Sequence, residues 1–407
     1  MSQYSRQLIE ALPKSDLHVH LDGSLRLPTL IELARERGVQ LPSETPEGLL
    51  ELVFKEQYRD LPDYLHGFAY TCAVMIDAEA LERIAYELAE DCLNEGVRYI
   101  EVRFAPQLHV RPDMDLGEVL AAVDRGFDRK RREHEASPAV QEHGEPPFRY
   151  GIIASAMRMF RAGFAPYYEK LLTVLDQWPM NAVYGVASTS LARAVVEARD
   201  RLSLPVVGFD LAGAEAGNPA SDHIEAFEYA HRHFLRKTVH AGEAYGPESI
   251  FQAITSLNAD RIGHGTHLYA SDQVKAKDPQ RYVRQLAEYL ADSRTAVEVC
   301  ITSNMQTMPE LRRVEDHPFG LMMRDRLSVV LCTDNRLVSR TSVTQEVVQA
   351  ADAFKLTEPE LRNVLIHGFK RSFFPGTYRE KRTYVRKIID FYDEVTAKHE
   401  ADSSQED

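Results

Sequence analysis

Short runs of β-branched and other apolar residues alternate along the chain with stretches in which apolar positions recur every three or four residues. That alternation predicts βα units around a parallel sheet. Eight runs stand out: LHVHLDG from Leu17, YIEVRFAP from Tyr99, YGIIASAMR from Tyr150, VVGFDLAG from Val206, KTVHAGE from Lys237, RIGHG from Arg261, AVEVCITSN from Ala296 and SVVLCTDN from Ser328. Eight is the strand number of a (β/α)8 TIM barrel, the α/β fold class expected here, with extra helices covering its C-terminal mouth. Leu81, Ile84, Ala85, Leu88 and Cys92 share one helical face ahead of Gly96, and Leu116, Val119, Leu120, Val123 and Phe127 repeat the spacing. Thr357 with Glu360 three residues on reads as a capping box, opening a helix that buries Leu361, Val364 and Leu365. The charged, Pro-ended stretch 129–147 reads as a helix extension and surface loop, and 159–205 is long enough for two helices. One barrel domain is expected over 1–398, followed by a polar, disordered tail over 399–407.

Composition narrows the function classes. The 407 residues are 44% apolar and 27% charged, which suits one large core. A net charge of -14 without a dense Lys/Arg stripe excludes sequence-independent nucleic-acid binding and favours a small-molecule substrate. No apolar run opens the chain and none reaches about 18 residues, so no membrane segment and a cytoplasmic location are expected. Cys72, Cys92, Cys300 and Cys332 form no CxxC pair, which reads as buried free thiols and not as a thiol metal site. Nothing in the pattern specifies an oligomeric state.

Reactive residue types cluster where the strand runs end, the place where barrels of this kind carry their sites. His18 and His20 are two apart, so on a strand both imidazoles point to one side, where two nitrogens can share a metal; alone, an HxH is equally a structural pair. His240 and Asp334 end two other runs and complete a three-nitrogen, one-carboxylate set suited to zinc and a bound water. Glu243, three residues past His240, is the candidate general acid, with a solvated loop carboxylate as the alternative. His264 stands between Gly263 and Gly265, which let backbone and ligand approach closely, although a structural histidine fits the same pattern.

The segments SDLHVHLDGSL, DLAGAE, TVHAGE, RIGHG, VCITSN and CTDN, in this order, resemble the adenosine deaminase family of metal-dependent amidohydrolases over 14–374. The resemblance implies one zinc per chain on His18, His20, His240 and Asp334. It implies that Glu243 protonates purine nitrogen 1, that His264 orients and deprotonates the water, and that Asp334 assists as it ligates. It also implies a backbone contact from Gly213 to nitrogen 3, a contact from Asp22 to the ribose 5′-hydroxyl, and Asn335 facing nitrogen 7. DLPDYLHGF resembles the family's apolar lid, with Leu61, Tyr64, Leu65 and Phe68 at a spacing that core packing would equally produce. The implied reaction is hydrolytic deamination of adenosine, and of 2′-deoxyadenosine, to the 6-oxo nucleoside and ammonia. Deaminases of bases in nucleic acids carry PCxxC, which is absent here. Binuclear relatives use a lysine at the fourth strand, which here ends Asp210-Leu211-Ala212-Gly213, so one metal is expected. HLDG resembles the nucleoside form and not the HLEG of adenine-specific members. A deaminase of adenine or of a modified adenosine, or a catalytically silent nucleoside-binding relative, remains as an alternative. The departure from the family is Asn335-Arg336 in place of Asp-Pro. An amide donates to nitrogen 7 at any pH, and Arg336 is expected to add a cation near the mouth that favours a more anionic substrate.

Overall fold

The structure, a computed structural model, describes residues 4–406, with side chains through position 402. The strands are β1 (Lys14–His20), β2 (Val97–Phe104), β3 (Arg149–Met157), β4 (Val206–Ala212), β5 (Arg236–Ala241), β6 (Arg261–His264), β7 (Ala296–Val299) and β8 (Ser328–Leu331). They pair in parallel in chain order. The seam between β8 and β1 is closed just past β8: the His20 N–H donates to the Asp334 carbonyl at 2.7 Å, and the Asp334 N–H donates to the His18 carbonyl at 2.7 Å. This is the expected (β/α)8 barrel, and its closing hydrogen bonds run through three of the residues singled out as candidate ligands.

Each of the eight apolar runs forms a strand, because a parallel strand covered by helices is buried on both faces and reads as continuously apolar. One run is divided differently. β7 stops at Val299, and the rest of AVEVCITSN enters the helix Ile301–Thr307. A short apolar run does not distinguish the two states by period, and here Ser303 and Asn304 end up buried on the first turn of that helix. β1 also begins at Lys14, before the apolar run, because the buried Lys14 ammonium donates to the carbonyls of Ile9, Leu12 and Glu10 at 2.5, 2.8 and 3.1 Å.

The helices Ala78–Asn94 and Leu116–Glu135 bury the faces read from the sequence. Beyond Glu135 only the short helix Pro138–Gln141 interrupts the loop to β3, while 159–205 holds the two helices Pro166–Val174 and Met180–Arg201. The Glu360 carboxylate accepts from the Thr357 N–H at 2.8 Å and opens the helix Glu358–Arg371 as a capping box does. Four helices between β1 and β2, Leu27–Glu36, Pro46–Leu52, Leu61–Leu65 and Phe68–Val74, are the additions to the minimal unit on the C-terminal side of β1. The final helix, Tyr378–Glu406, continues through the segment assigned by composition to a polar tail, and Asp407 lies outside the described residues. Among the described residues no helix is long and apolar enough to cross a membrane.

Candidate active site

Donor atoms of His18, His20, His240 and Asp334, from the ends of β1, β5 and β8, lie within 4.8 Å of one another, and all four residues are buried. The Nε2 atoms of His20 and His240 are 3.1 Å apart, and Asp334 Oδ1 lies 3.4 Å from His18 Nε2 and 3.5 Å from His20 Nε2. His18 Nε2 has no hydrogen-bond partner although it is buried. Two imidazoles are held by carboxylates on their far side: His18 Nδ1 lies 2.9 Å from Glu298 Oε2 and His240 Nδ1 lies 3.1 Å from Asp210 Oδ1. A carboxylate there places the proton on Nδ1 and aims the Nε2 lone pair inward, as ligating histidines require. An orphaned inward nitrogen beside converging nitrogens and an oxygen fits a zinc ion.

A second layer of charge supports this cradle. Glu298 also accepts from Arg103 at 2.8 Å, from Arg261 at 2.6 Å and from the Thr238 hydroxyl at 2.9 Å. Asp210 accepts from the Ser155 hydroxyl at 2.9 Å and lies 3.5 Å from Arg103 Nη1. Burial alone would raise both carboxyls, but Arg103 and Arg261 at Glu298, and His240 and Arg103 at Asp210, hold them below the usual carboxylate range. Glu298, Asp210 and Arg103 were not singled out from the sequence. The available signal was a charge inside an otherwise apolar strand run, which survives burial only when paired.

Asp334 sits in the left-handed backbone region at φ 60, as does His264 at φ 64. Non-glycine residues there carry strain that the surrounding structure must hold in place, a feature concentrated at functional sites. Asp334 Oδ2 accepts from the Ser303 hydroxyl at 2.6 Å and lies 3.4 Å from the Tyr64 hydroxyl. Against the push of burial, the adjacent His18 imidazole and the neighbouring His264 and His20 hold this carboxyl well below its ordinary range. Gly263 is required here because a Cβ on it would come within 2.9 Å of His18 Cε1.

Glu243 lies in the turn after β5, with its Oε1 3.6 Å from His264 Nε2. Burial, reinforced by the nearby Asp334 and Glu215 charges, raises its carboxyl to about 8. The turn is clamped by Glu215 of DLAGAE, which accepts the N–H groups of Gly242, Glu243 and Ala244 at 2.8, 3.0 and 2.7 Å and the Ser249 hydroxyl. The tautomer of His264 follows from a chain of hydrogen bonds. The Phe319 N–H donates to His317 Nδ1 at 3.0 Å, so the proton of the neutral His317 ring sits on Nε2 and is donated to Asn304 Oδ1 at 3.2 Å. The Asn304 amide nitrogen is thereby turned to His264 Nδ1, 3.1 Å away. Burial and the neighbouring His18 keep His264 neutral, so its proton is on Nε2.

Asp22 lies 3.8 Å from His20 Nδ1, and burial pushes its carboxyl up to about 7. Gly213 follows β4 at φ 100, a turn open to glycine without steric cost. The Asn335 amide nitrogen donates to the Tyr64 hydroxyl at 2.8 Å, and its Oδ1, buried and unpartnered, would lie 1.9 Å from a Cβ on Gly23 of HLDG. Tyr64 belongs to the helix Leu61–Leu65 in the segment read as a lid, and its hydroxyl also meets the Ser339 hydroxyl at 2.7 Å. Arg336 corrects one expectation. Its guanidinium is not at the mouth but buried against Glu95, and the Glu95 carboxylate also accepts the Thr344 N–H at 2.9 Å at the start of the helix Val343–Phe354. With its charge paired there, Arg336 offers nothing to an anionic substrate.

A parallel eight-stranded barrel that gathers three imidazoles and a carboxylate at its strand ends, beside a carboxyl held near neutrality, has the arrangement that a metal-dependent barrel hydrolase requires. The family model described as Adenosine deaminase matches residues 13–142 and 170–391. An adenosine deaminase of Mycobacterium avium (strain 104) is 35% identical over 386 residues, covering 94% of this chain and 95% of the relative. Adenosine deaminase 1 of Streptomyces coelicolor is 36% identical over 383 residues, covering 94% of this chain and 87% of the relative. The solved structure of an Arabidopsis N6-mAMP deaminase superimposes with a TM-score of 0.71 at 26% identity, covering 94% of this chain and 99% of that one. The chain belongs to the adenosine deaminase family.

Proposed function

We propose that this protein is a zinc-dependent aminohydrolase that converts adenosine, and 2′-deoxyadenosine, to the 6-oxo nucleoside and ammonia. The observation that carries the reading is Glu243, a buried carboxyl raised to about 8 at the rim of the three-imidazole, one-carboxylate cradle. The residues present fit one zinc ion on His18, His20, His240 and Asp334. A bound zinc supplies hydroxide near neutral pH by lowering the pKa of water to about 7.

Glu243, protonated when substrate binds, donates its proton to purine nitrogen 1 and so removes aromatic stabilisation across the attacked bond to carbon 6. His264, with its proton on Nε2, donates a hydrogen bond to the attacking oxygen and holds it toward carbon 6. Its Nδ1 already accepts from Asn304, so it serves as a donor, and the role of base that the family resemblance implied for it passes to Asp334. Asp334, anionic and fixed by Ser303, takes the remaining proton of the added oxygen and passes it to the departing amino group. The nucleoside keeps the proton from Glu243 on nitrogen 1, and ammonia leaves.

In this reading Asp22 accepts the ribose 5′-hydroxyl and the Gly213 amide meets nitrogen 3. Asn335 serves nitrogen 7 with its amide turned about the Cβ–Cγ bond, so that Oδ1 accepts from the Tyr64 hydroxyl and the NH2 faces the purine. A nucleoside 5′-monophosphate is the second reading, favoured by the likeness to the Arabidopsis N6-mAMP deaminase. Asp22 opposes it in its ionised form, because a phosphate dianion beside a carboxylate is repelled. The test is absorbance-monitored turnover of adenosine, 2′-deoxyadenosine, adenosine 5′-monophosphate, adenine and N6-methyladenosine, before and after chelation. Adenosine is expected to lead and to be lost on chelation; preference for the monophosphate or the free base overturns the assignment. With Asn335 on nitrogen 7, 7-deazaadenosine is the poorer substrate in the same assay.

A further inference from the structure

Beside the cradle, on the far side of His20, Asp22, Cys72 and His109 bring a carboxylate oxygen, a thiol sulfur and an imidazole nitrogen within 4.8 Å of one another. They come from separate elements: the turn after β1, the helix Phe68–Val74, and the residue that ends the short turn Pro106–Leu108 after β2. Asp22 and His109 are buried and Cys72 is partly so, which sets this thiol apart from the expectation of four buried free thiols. His109 Nδ1 lies 3.0 Å from the Met75 carbonyl oxygen. A carbonyl only accepts, so the proton of the neutral ring is on Nδ1 and Nε2 keeps its lone pair. His109 Nε2 is buried with no hydrogen-bond partner among the described residues, and the same holds for Asp22 Oδ1. Two buried acceptors left without a donor are costly unless something electrophilic meets them.

The chemistry of the three groups names what that is. Burial lowers His109 to about 4, so its ring is neutral and able to ligate. Its tautomer is set by a backbone carbonyl, the outer support that metal-bound imidazoles have. Sulfur, nitrogen and carboxylate oxygen together suit zinc and its soft congener cadmium far better than magnesium or calcium. Burial raises the free Cys72 thiol well above its ordinary range, so the cation must displace the thiol proton to solvent as the metal–sulfur bond forms. The neighbouring Arg111, which donates to the carbonyls of Leu108 and Val110, lowers the thiol and assists that loss.

We propose that Asp22, Cys72 and His109 form a second cation site, selective for thiophilic divalent ions, at the ribose end of the pocket, and that its occupancy excludes the nucleoside. The exclusion rests on the assignment of Asp22 to the ribose; the site itself does not. The test uses enzyme loaded with one zinc per chain, freed of excess metal and titrated with Cd2+. A second equivalent should bind while elemental analysis shows the first zinc retained, with the ultraviolet charge-transfer band of a cadmium thiolate. Over the same range KM for adenosine should rise while kcat stays constant. Cys72→Ser should keep basal kcat and KM, lose the band, and shift the inhibition midpoint at least about 10-fold upward, and His109→Ala should shift it likewise. Absence of a second equivalent, or a band and midpoint unchanged in Cys72→Ser, overturns the site. A band that develops with KM unchanged overturns the exclusion. Band and stoichiometry are read without substrate, so failure of the adenosine assignment is distinguishable from failure of this one.

Discussion

The end of β8 and the turn after β5 each bury a carboxyl a few ångströms from the same imidazoles, yet the two are driven in opposite directions. Asp334 is met by the Ser303 hydroxyl at 2.6 Å and by surrounding imidazoles, which hold it well below its usual range. Glu243 has burial and the charges of Asp334 and Glu215 acting on it and rises to about 8. Desolvation is common to both, so the neighbours decide. One carboxyl is kept as an anion able to ligate and to take a proton, and the other is kept as an acid able to give one. The difference also couples them, because the anion at Asp334 is part of what keeps Glu243 protonated.

Asp334→Asn breaks the comparison most severely. It removes a ligand and the anion together, so metal content and turnover should both fall to background, and the carbon-13 titration of the Glu243 carboxyl in metal-free protein should move down from about 8. An unmoved titration would show that burial and Glu215 set Glu243 without Asp334. Glu243→Gln comes next. It should keep the fold and the metal while lowering kcat by about 100-fold or more, since only the transferable proton is lost. The pH dependence of stability gives a second measurement. Wild-type Glu243 has its folded pKa raised from 4.5 to about 8, so its stabilising contribution is full below 4.5 and is lost as pH rises to about 8. Metal-free Glu243→Gln should therefore gain on wild type in chemical denaturation as pH rises across that window, and a constant difference would contradict the raised pKa. Ser303→Ala has the smallest effect. Without the hydroxyl on Asp334 Oδ2, metal affinity should weaken by about 10- to 100-fold, with Glu243 titrating nearly as before. Calorimetric zinc titration checks it.

Much of this was legible in one dimension because the barrel repeats a local rule. Eight apolar runs became eight strands, and His18, His20, His240, His264, Glu243 and Asp334 all stood at or just past strand ends. Strand direction alone sends such residues to one face of the barrel. The two helices of 159–205 and the capping box at Thr357 were equally local. The boundary of β7 was not, because CITSN is apolar enough for either state and turns helical where Ser303 can reach Asp334.

What the amino-acid order determined by itself is therefore the barrel, the strand-end placement and the inventory of ligands and acid. What only the tertiary structure decided is the state of those groups. The opposite pKa shifts of Asp334 and Glu243 depend on which carboxylates, hydroxyls and imidazoles approach across strands. The proton on His264 Nε2 depends on a relay through Asn304 and His317 that begins at the Phe319 backbone amide. Arg336, read as a cation at the mouth, is neutralised by Glu95 because the chain after β8 turns its side chain away from the pocket and against the end of the helix Ala78–Asn94. Strand period and helical spacing act over a few residues and survive projection onto a line. Charge, tautomer and pairing are set by partners tens to hundreds of positions away, and those distances exist only once the barrel has closed.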